Sequence, residues 1–91
     1  MKTKPSAVFG CNDLLAKAVI NYCQNHRLKC PAIIGFDNDP IAEEFNLTSI
    51  EIPEHKMVGE AFSIIKKRLA GDSTSAIRQI HSCRPVIRGS L

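Results

Sequence analysis

The stretch Pro31-Ala32-Ile33-Ile34-Gly35-Phe36-Asp37-Asn38-Asp39-Pro40 decides the fold class, because an apolar run ends abruptly in turn-forming residues. The run has no polar side chain and is short, which indicates a strand that is buried on both faces, as in a parallel sheet. Asx side chains bond to their own backbone, and a proline moves the preceding residue out of the helical region. We therefore expect the strand to stop at Asp37.

On both sides of this strand, short apolar runs alternate with helical patterns. Such alternation is typical of βαβ units and predicts an α/β fold, a mostly parallel sheet flanked by helices. A short helical turn is expected between Ile41 and Phe45. Pro85 separates the last two runs and suits an edge strand or a bulge. The further predicted strands are Ala7–Phe9, Leu47–Glu51, Ile77–His81 and Val86–Arg88.

Two longer helices are predicted. The first begins after Cys11, where Asn12 or Asp13 can cap the free N–H groups, and ends near Asn25-His26. The second spans residues 54–70, between Pro53 at its first turn and a terminating Gly71. The apolar stripe expected on the first helix is Leu15, Ala18, Val19 and Tyr22; that on the second is Val58, Ala61, Phe62, Ile65 and Leu69.

Composition narrows the classes of function. The 91 residues make one domain at most, and 44% hydrophobic with 23% charged residues is ordinary for a soluble globular chain. No apolar run approaches the roughly 20 residues of a membrane span, and the start does not form a signal peptide. The net charge of +3 is scattered along the chain, which indicates a solvated surface rather than a nucleic-acid patch.

The four cysteines contain no C-x-x-C pair, and the three histidines lack metal-ligand spacing. We therefore expect no metal site, no cofactor and free thiols in a reducing cytoplasm. Cys11 precedes a helix and could instead be a nucleophile, as in cysteine phosphatases. Those enzymes place an arginine six residues after the cysteine, however, where this chain has Lys17. Catalysis is not favoured.

Two polar residues directly follow predicted parallel strands, Asn12 after the first and Asp37 after the second. Ligands of open α/β sheets bind beyond the carboxyl ends of strands. Asn12 offers a donor and an acceptor, and an ionised Asp37 can accept hydrogen bonds from two neighbouring hydroxyls, which suits a sugar or polyol. On spacing alone, a helix cap at Asn12 or Asp13 and a turn at Asp37 explain the same residues.

Five ordered motifs resemble the end of the effector-binding domain of LacI/GalR-type transcriptional regulators, a domain that arabinose-type repressors with a GntR-like DNA-binding head share. The resemblance covers nearly the whole chain. The motifs are Pro5–Phe9, Cys11–Ala16, Ile33–Asn38, Leu47–Ile50 and Pro85–Ser90.

The resemblance implies a periplasmic-binding-protein-like clamshell of two α/β lobes with a sugar or nucleobase ligand in the cleft. Residues 1–91 would be a single C-terminal fragment that starts inside the second lobe. Asn12 and Asp37 would contact ligand hydroxyls. Asp13 would be a helix cap or would hold the ligand-contacting residues in place without touching the ligand. Ile52 stands where some members have a cleft glutamine, so that contact is missing.

The resemblance also implies partners. Residues 54–70 correspond to the crossover helix, which would pack on the first lobe or on a partner chain through Phe62 and Ile65. A homodimer would form through Lys17, Asn21 and Phe45, although Phe45 could equally be core. DNA would be bound by a separate head domain, since these residues contain no helix-turn-helix pattern. A cytoplasmic repressor is expected; the alternative is the solute-binding component of a sugar transporter.

Overall fold

The computed structural model describes residues 4–91, which form two compact units, residues 4–52 with 84–91 and residues 53–83. The element order is βαβαβαβ, and the strands are only three residues long. The elements are β1 Ala7–Phe9, α1 Asp13–Asn25, β2 Ala32–Ile34, α2 Pro40–Glu44, β3 Ser49–Glu51, α3 Glu54–Leu69 and β4 Arg84–Val86.

The strands of the first unit form a mostly parallel arrangement, which confirms the predicted α/β class. β1 pairs with β2 in parallel, with Val8 opposite Ile33. Two isolated parallel bridges, Ile34 to Thr48 and Asp37 to Glu51, connect the segment of β2 to that of β3. β4 pairs antiparallel with β3. The carboxyl ends of β1, β2 and β3 therefore lie at one end of the sheet.

The core of the first unit is small and consists of Ala16, Ile33, Ala42 and Leu47, each fully buried. α1 covers this core with a face that shares only Val19 with the predicted stripe. Leu15, Ala18 and Tyr22 are exposed, and the inward side chains at helical spacing are Ala16, Val19, Ile20 and Cys23. The prediction was wrong because α1 has apolar residues around most of its circumference, and the small Ala16 permits the close approach to the strands.

Two strand predictions were also wrong. Residues 77–81 contain no strand, and the last strand is β4, two residues earlier than expected. Pro85 lies inside β4, which among residues 4–91 pairs with β3 alone and so is an edge strand, where proline is tolerated. Residues 88–90 leave the strand because they bond elsewhere: Ile33 N donates to Ser90 O at 2.8 Å, and Ser90 Oγ donates to Ile33 O at 2.7 Å.

The second unit consists of α3 and the segment after it. α3 ends as predicted before Gly71, whose φ of 101° suits glycine, and none of its side chains is buried. The Arg68 guanidinium donates to the carbonyls of Asp72, Thr74 and Ser75 and so holds the following segment against the last turn. No helix among residues 4–91 is long and apolar enough to span a bilayer.

Candidate functional site

The loops after β1 and β2 lie side by side at the carboxyl end of the parallel strands. Gly10 N donates to Ile34 O at 2.7 Å, and Asp13 N donates to Phe36 O at 3.1 Å. Asn12 lies between these two hydrogen bonds in the chain, and Asp37 directly follows Phe36. The two predicted ligand residues are thus at the same end of the sheet, on loops bonded to each other.

Asn12 is the N-cap residue of α1. Its backbone is extended, with φ −151° and ψ 172°, and its Oδ1 accepts a hydrogen bond from Leu15 N at 2.8 Å. This cap satisfies one of the N–H groups that a helix leaves without a partner. The amide nitrogen of Asn12 has no hydrogen-bond partner among residues 4–91, and the side chain is half-buried. Asn12 can therefore cap the helix and donate to a ligand at the same time.

Asp37 and Asn38 both have left-handed backbone conformations. Their φ angles are 100° and 51°, values that Asp and Asn tolerate better than most residues but that still carry strain. Asp37 N donates to Ile50 O at 2.9 Å, which fixes the backbone, while the side chain is exposed. The backbone thus presents the Asp37 carboxylate to solvent at the strand ends.

Asp13 is not the cap of α1 but a buried carboxylate that joins the loops, with 1% of its surface exposed. Its Oδ1 accepts from Ser49 Oγ at 2.6 Å, and its Oδ2 accepts from Asp39 N at 2.7 Å. A buried carboxylate needs such donors to offset the loss of water. A side chain at Gly35 would collide with Asp13 Oδ1, so the glycine makes room for this arrangement.

The sequence did not point to two residues that hold the loop of Asp37. Ser49 Oγ accepts from Asn38 N at 2.9 Å, and Arg88 Nη2 donates to Asn38 Oδ1 at 2.9 Å. Both lie far from Asn38 in the chain, 11 and 50 residues away. Arg88 lies within a motif that carries the family resemblance, but nothing in the sequence pattern shows which residue it would contact.

Two of the predicted dimer residues contact each other within the chain. Lys17 Nζ lies 5.0 Å from the centre of the Phe45 ring, a cation–π distance, and Phe45 also packs against the core. Asn21, one turn after Lys17 on α1, is half-buried. In the second unit, Phe62 and Ile65 are 68% and 56% exposed and available to a partner. Contact with a second chain stays a prediction for all five residues.

The family model described as periplasmic binding protein-like domain matches residues 1–91. The chain belongs to this family. Among its relatives, the HTH-type transcriptional repressor PurR of Vibrio campbellii is 36% identical over 74 residues, which cover 76% of this chain and 22% of PurR.

Two solved structures resemble this periplasmic binding protein-like domain. The transcriptional regulator CelR in complex with cellobiose has a TM-score of 0.86 and 26% identity, covering 93% of this chain and 28% of CelR. A transcriptional regulator of the LacI family from Sanguibacter keddieii has a TM-score of 0.83 and 27% identity, covering 98% of this chain and 35% of that chain. The domain therefore spans about a fifth to a third of the length of these regulators.

Proposed function

We propose that this domain senses a small-molecule effector, a sugar, for a cytoplasmic LacI/GalR-type transcriptional repressor. The observation that carries the proposal is the pairing of Asn12 and Asp37 on adjacent, mutually bonded loops at the carboxyl ends of two parallel strands. This is the position at which α/β sheets bind ligands. Both backbones are fixed by hydrogen bonds, so the polar atoms are oriented before a ligand arrives.

The chemistry of the two side chains suits hydroxyl groups. The amide nitrogen of Asn12 can donate to a sugar oxygen, and the exposed Asp37 carboxylate can accept from two adjacent hydroxyls in charge-assisted hydrogen bonds. The resemblance to CelR, which was solved with cellobiose, supports a sugar in particular. Ile52 follows β3 and offers no hydrogen bond, so the remaining polar contacts would come from other segments of the regulator.

The proposal extends to the arrangement of the whole regulator. The chain would be the C-terminal part of the effector domain, and residues 54–70 would be the crossover helix that packs on the first lobe. Its exposed apolar stripe supports this role, because Val58, Phe62, Ile65 and Leu69 are 56 to 85% exposed. Lys17, Asn21 and Phe45 would lie at a dimer interface, and a separate head domain would bind DNA.

A binding screen of the full-length gene product tests the proposal. The ligands are cellobiose, D-galactose, D-ribose and adenosine, titrated by isothermal calorimetry. We expect at least one of the sugars to bind with a dissociation constant of roughly micromolar or tighter. Binding of adenosine in the absence of any sugar binding would refute the sugar assignment and favour a nucleobase ligand.

A further inference from the structure

We propose that Arg88 is a positioning residue of the effector site, which sets ligand affinity by holding the loop of Asp37 through Asn38. The inference rests on the proposed function, since it assigns Arg88 a role toward the same ligand. Arg88 follows β4, and the proposal assigns it no contact with the ligand itself. It acts on the loop through the side chain of Asn38, which is 50 residues away in sequence.

The guanidinium of Arg88 bridges the Asp37 loop to the segment before β3. Its Nη1 donates to Leu47 O at 2.7 Å while its Nη2 donates to Asn38 Oδ1 at 2.9 Å. Leu47 is fully buried, so one acceptor of the bridge belongs to the core. The other acceptor is the side chain next to Asp37. A guanidinium fork can serve both acceptors in a fixed geometry, which the single ammonium group of a lysine cannot reproduce.

The backbone of Arg88 is fixed as firmly as its side chain. Arg88 N donates to Thr48 Oγ1 at 2.7 Å, and the Thr48 hydroxyl is 3.1 Å from Arg88 O, to which it donates. Thr48 itself is fully buried. The backbone and the side chain of Arg88 are thus both anchored to buried residues, which allows Arg88 to restrain Asn38.

The Asp37 loop needs such a support because its conformation is strained. Two consecutive non-glycine residues with φ of 100° and 51° persist only where their surroundings determine them. The backbone amides of Asp37, Asn38 and Asp39 donate to Ile50 O, Ser49 Oγ and Asp13 Oδ2, but only Arg88 holds the Asn38 side chain among the described residues. Without Arg88, these backbone hydrogen bonds would open more often, and the Asp37 carboxylate would keep its direction for less of the time.

The test compares Arg88→Gln with Arg84→Gln in the full-length protein. Arg84 is a matched control because it lies four residues earlier, is 75% exposed and pairs with Glu51 at the surface. The first readout is hydrogen exchange of the Asp37, Asn38 and Asp39 amides without ligand. We expect Arg88→Gln to accelerate it about tenfold or more while amides of the α1 interior change little, and Arg84→Gln to have no such effect.

The second readout is the affinity for the tightest ligand among cellobiose, D-galactose, D-ribose and adenosine. We expect Arg88→Gln and Asn38→Ala each to weaken binding about tenfold, Arg88→Lys to restore little of it, and the double variant to lose no more than either single one.

Unchanged amide exchange in Arg88→Gln would overturn the proposal, and so would accelerated exchange with unchanged affinity. If Asp37→Asn does not weaken binding, the ligand contact of Asp37 is refuted, and the positioning role of Arg88 falls with it. Accelerated exchange would then still establish that Arg88 holds the loop, which separates failure of the site from failure of the support.

Discussion

The side-chain oxygen of Asn12 caps α1, and by our proposal its amide nitrogen donates to the ligand. Two substitutions separate these roles. Asn12→Ala removes both, so we expect about 1 kcal/mol less stability to urea together with weaker binding. Asn12→Ser keeps an N-cap oxygen and should leave the free energy of unfolding nearly unchanged, yet it loses the amide donor. Urea denaturation of both full-length variants measures the free energy of unfolding, and calorimetry measures their affinity for the ligand. If Asn12→Ser binds the ligand with wild-type affinity, the proposed ligand contact of the Asn12 amide is wrong, and the residue is only a helix cap.

The Asp13 carboxylate needs the space that the glycine at position 35 leaves free. Gly35→Ala places a Cβ in the space of Asp13 Oδ1 and 3.0 Å from Leu47 Cδ2, and both neighbours are buried. We expect a loss of about 1–3 kcal/mol in urea denaturation, since the packed site has little room to adjust. Gly59→Ala on α3 is the control: apart from its chain neighbours and the backbone of its own helix, no atom of residues 4–91 lies within 4 Å of the new Cβ, and helix propensity predicts a small gain. Equal effects of the two substitutions would contradict our account of the Asp13 site.

Among the elements, α1 shows what local sequence determines and what it does not. Its bounds could be predicted because the cap at Asn12 and the turn after Asn25 are local signals. Its buried face could not, because Leu15 and Tyr22 are as apolar as the residues that pack inward, and only the sheet position decides which side is covered. The end of β4 was missed for a similar reason, since bonds to Thr48 draw Arg88 out of the strand.

At α3, the exposed stripe predicts association of the 91-residue chain. Sedimentation equilibrium should show a dimer or higher oligomer for the wild type. Phe62→Asp with Ile65→Asp should produce a monomer, because two charges in an apolar contact are desolvated without partners. Lys56→Asp with Ser63→Asp adds the same two acids on the other side of the helix, at 100° per residue, and should leave association intact. A folded wild-type monomer at millimolar concentration would contradict this role of α3.

For the molecule as a whole, the sequence could place two residues of the candidate site. Parallel strands end together, so Asn12 and Asp37 were predicted at one end of the sheet, and the structure places them there. The contacts of Arg88 and Ser49 with Asn38 could not be predicted. They span 50 and 11 residues of the chain, and hydrophobic periodicity gives no information about contacts between residues so far apart. By our proposal, further side chains of the site come from other segments of a regulator, and these 91 residues cannot specify them.

The proposal that Asn12 and Asp37 form only half of the site predicts weak binding by the chain alone. Residues 1–91 should bind free sugars with dissociation constants of about millimolar or weaker, because two side chains do not offset the entropy of association. Calorimetry of the 91-residue chain beside the full-length protein measures the difference directly. Micromolar binding of a monosaccharide by the short chain would show that the site is complete within it.

The most direct test of the central claim is calorimetry of full-length Asp37→Asn with the tightest of the screened ligands. Asparagine matches the shape of aspartate and tolerates the φ of 100°, so the loop should keep its conformation while the charge is lost. Asp72→Asn, in the second unit, is the control. We predict at least tenfold weaker binding for Asp37→Asn, about 1.4 kcal/mol, and wild-type affinity for the control. Equal affinity of Asp37→Asn and the wild type would contradict the claim that Asp37 binds the effector.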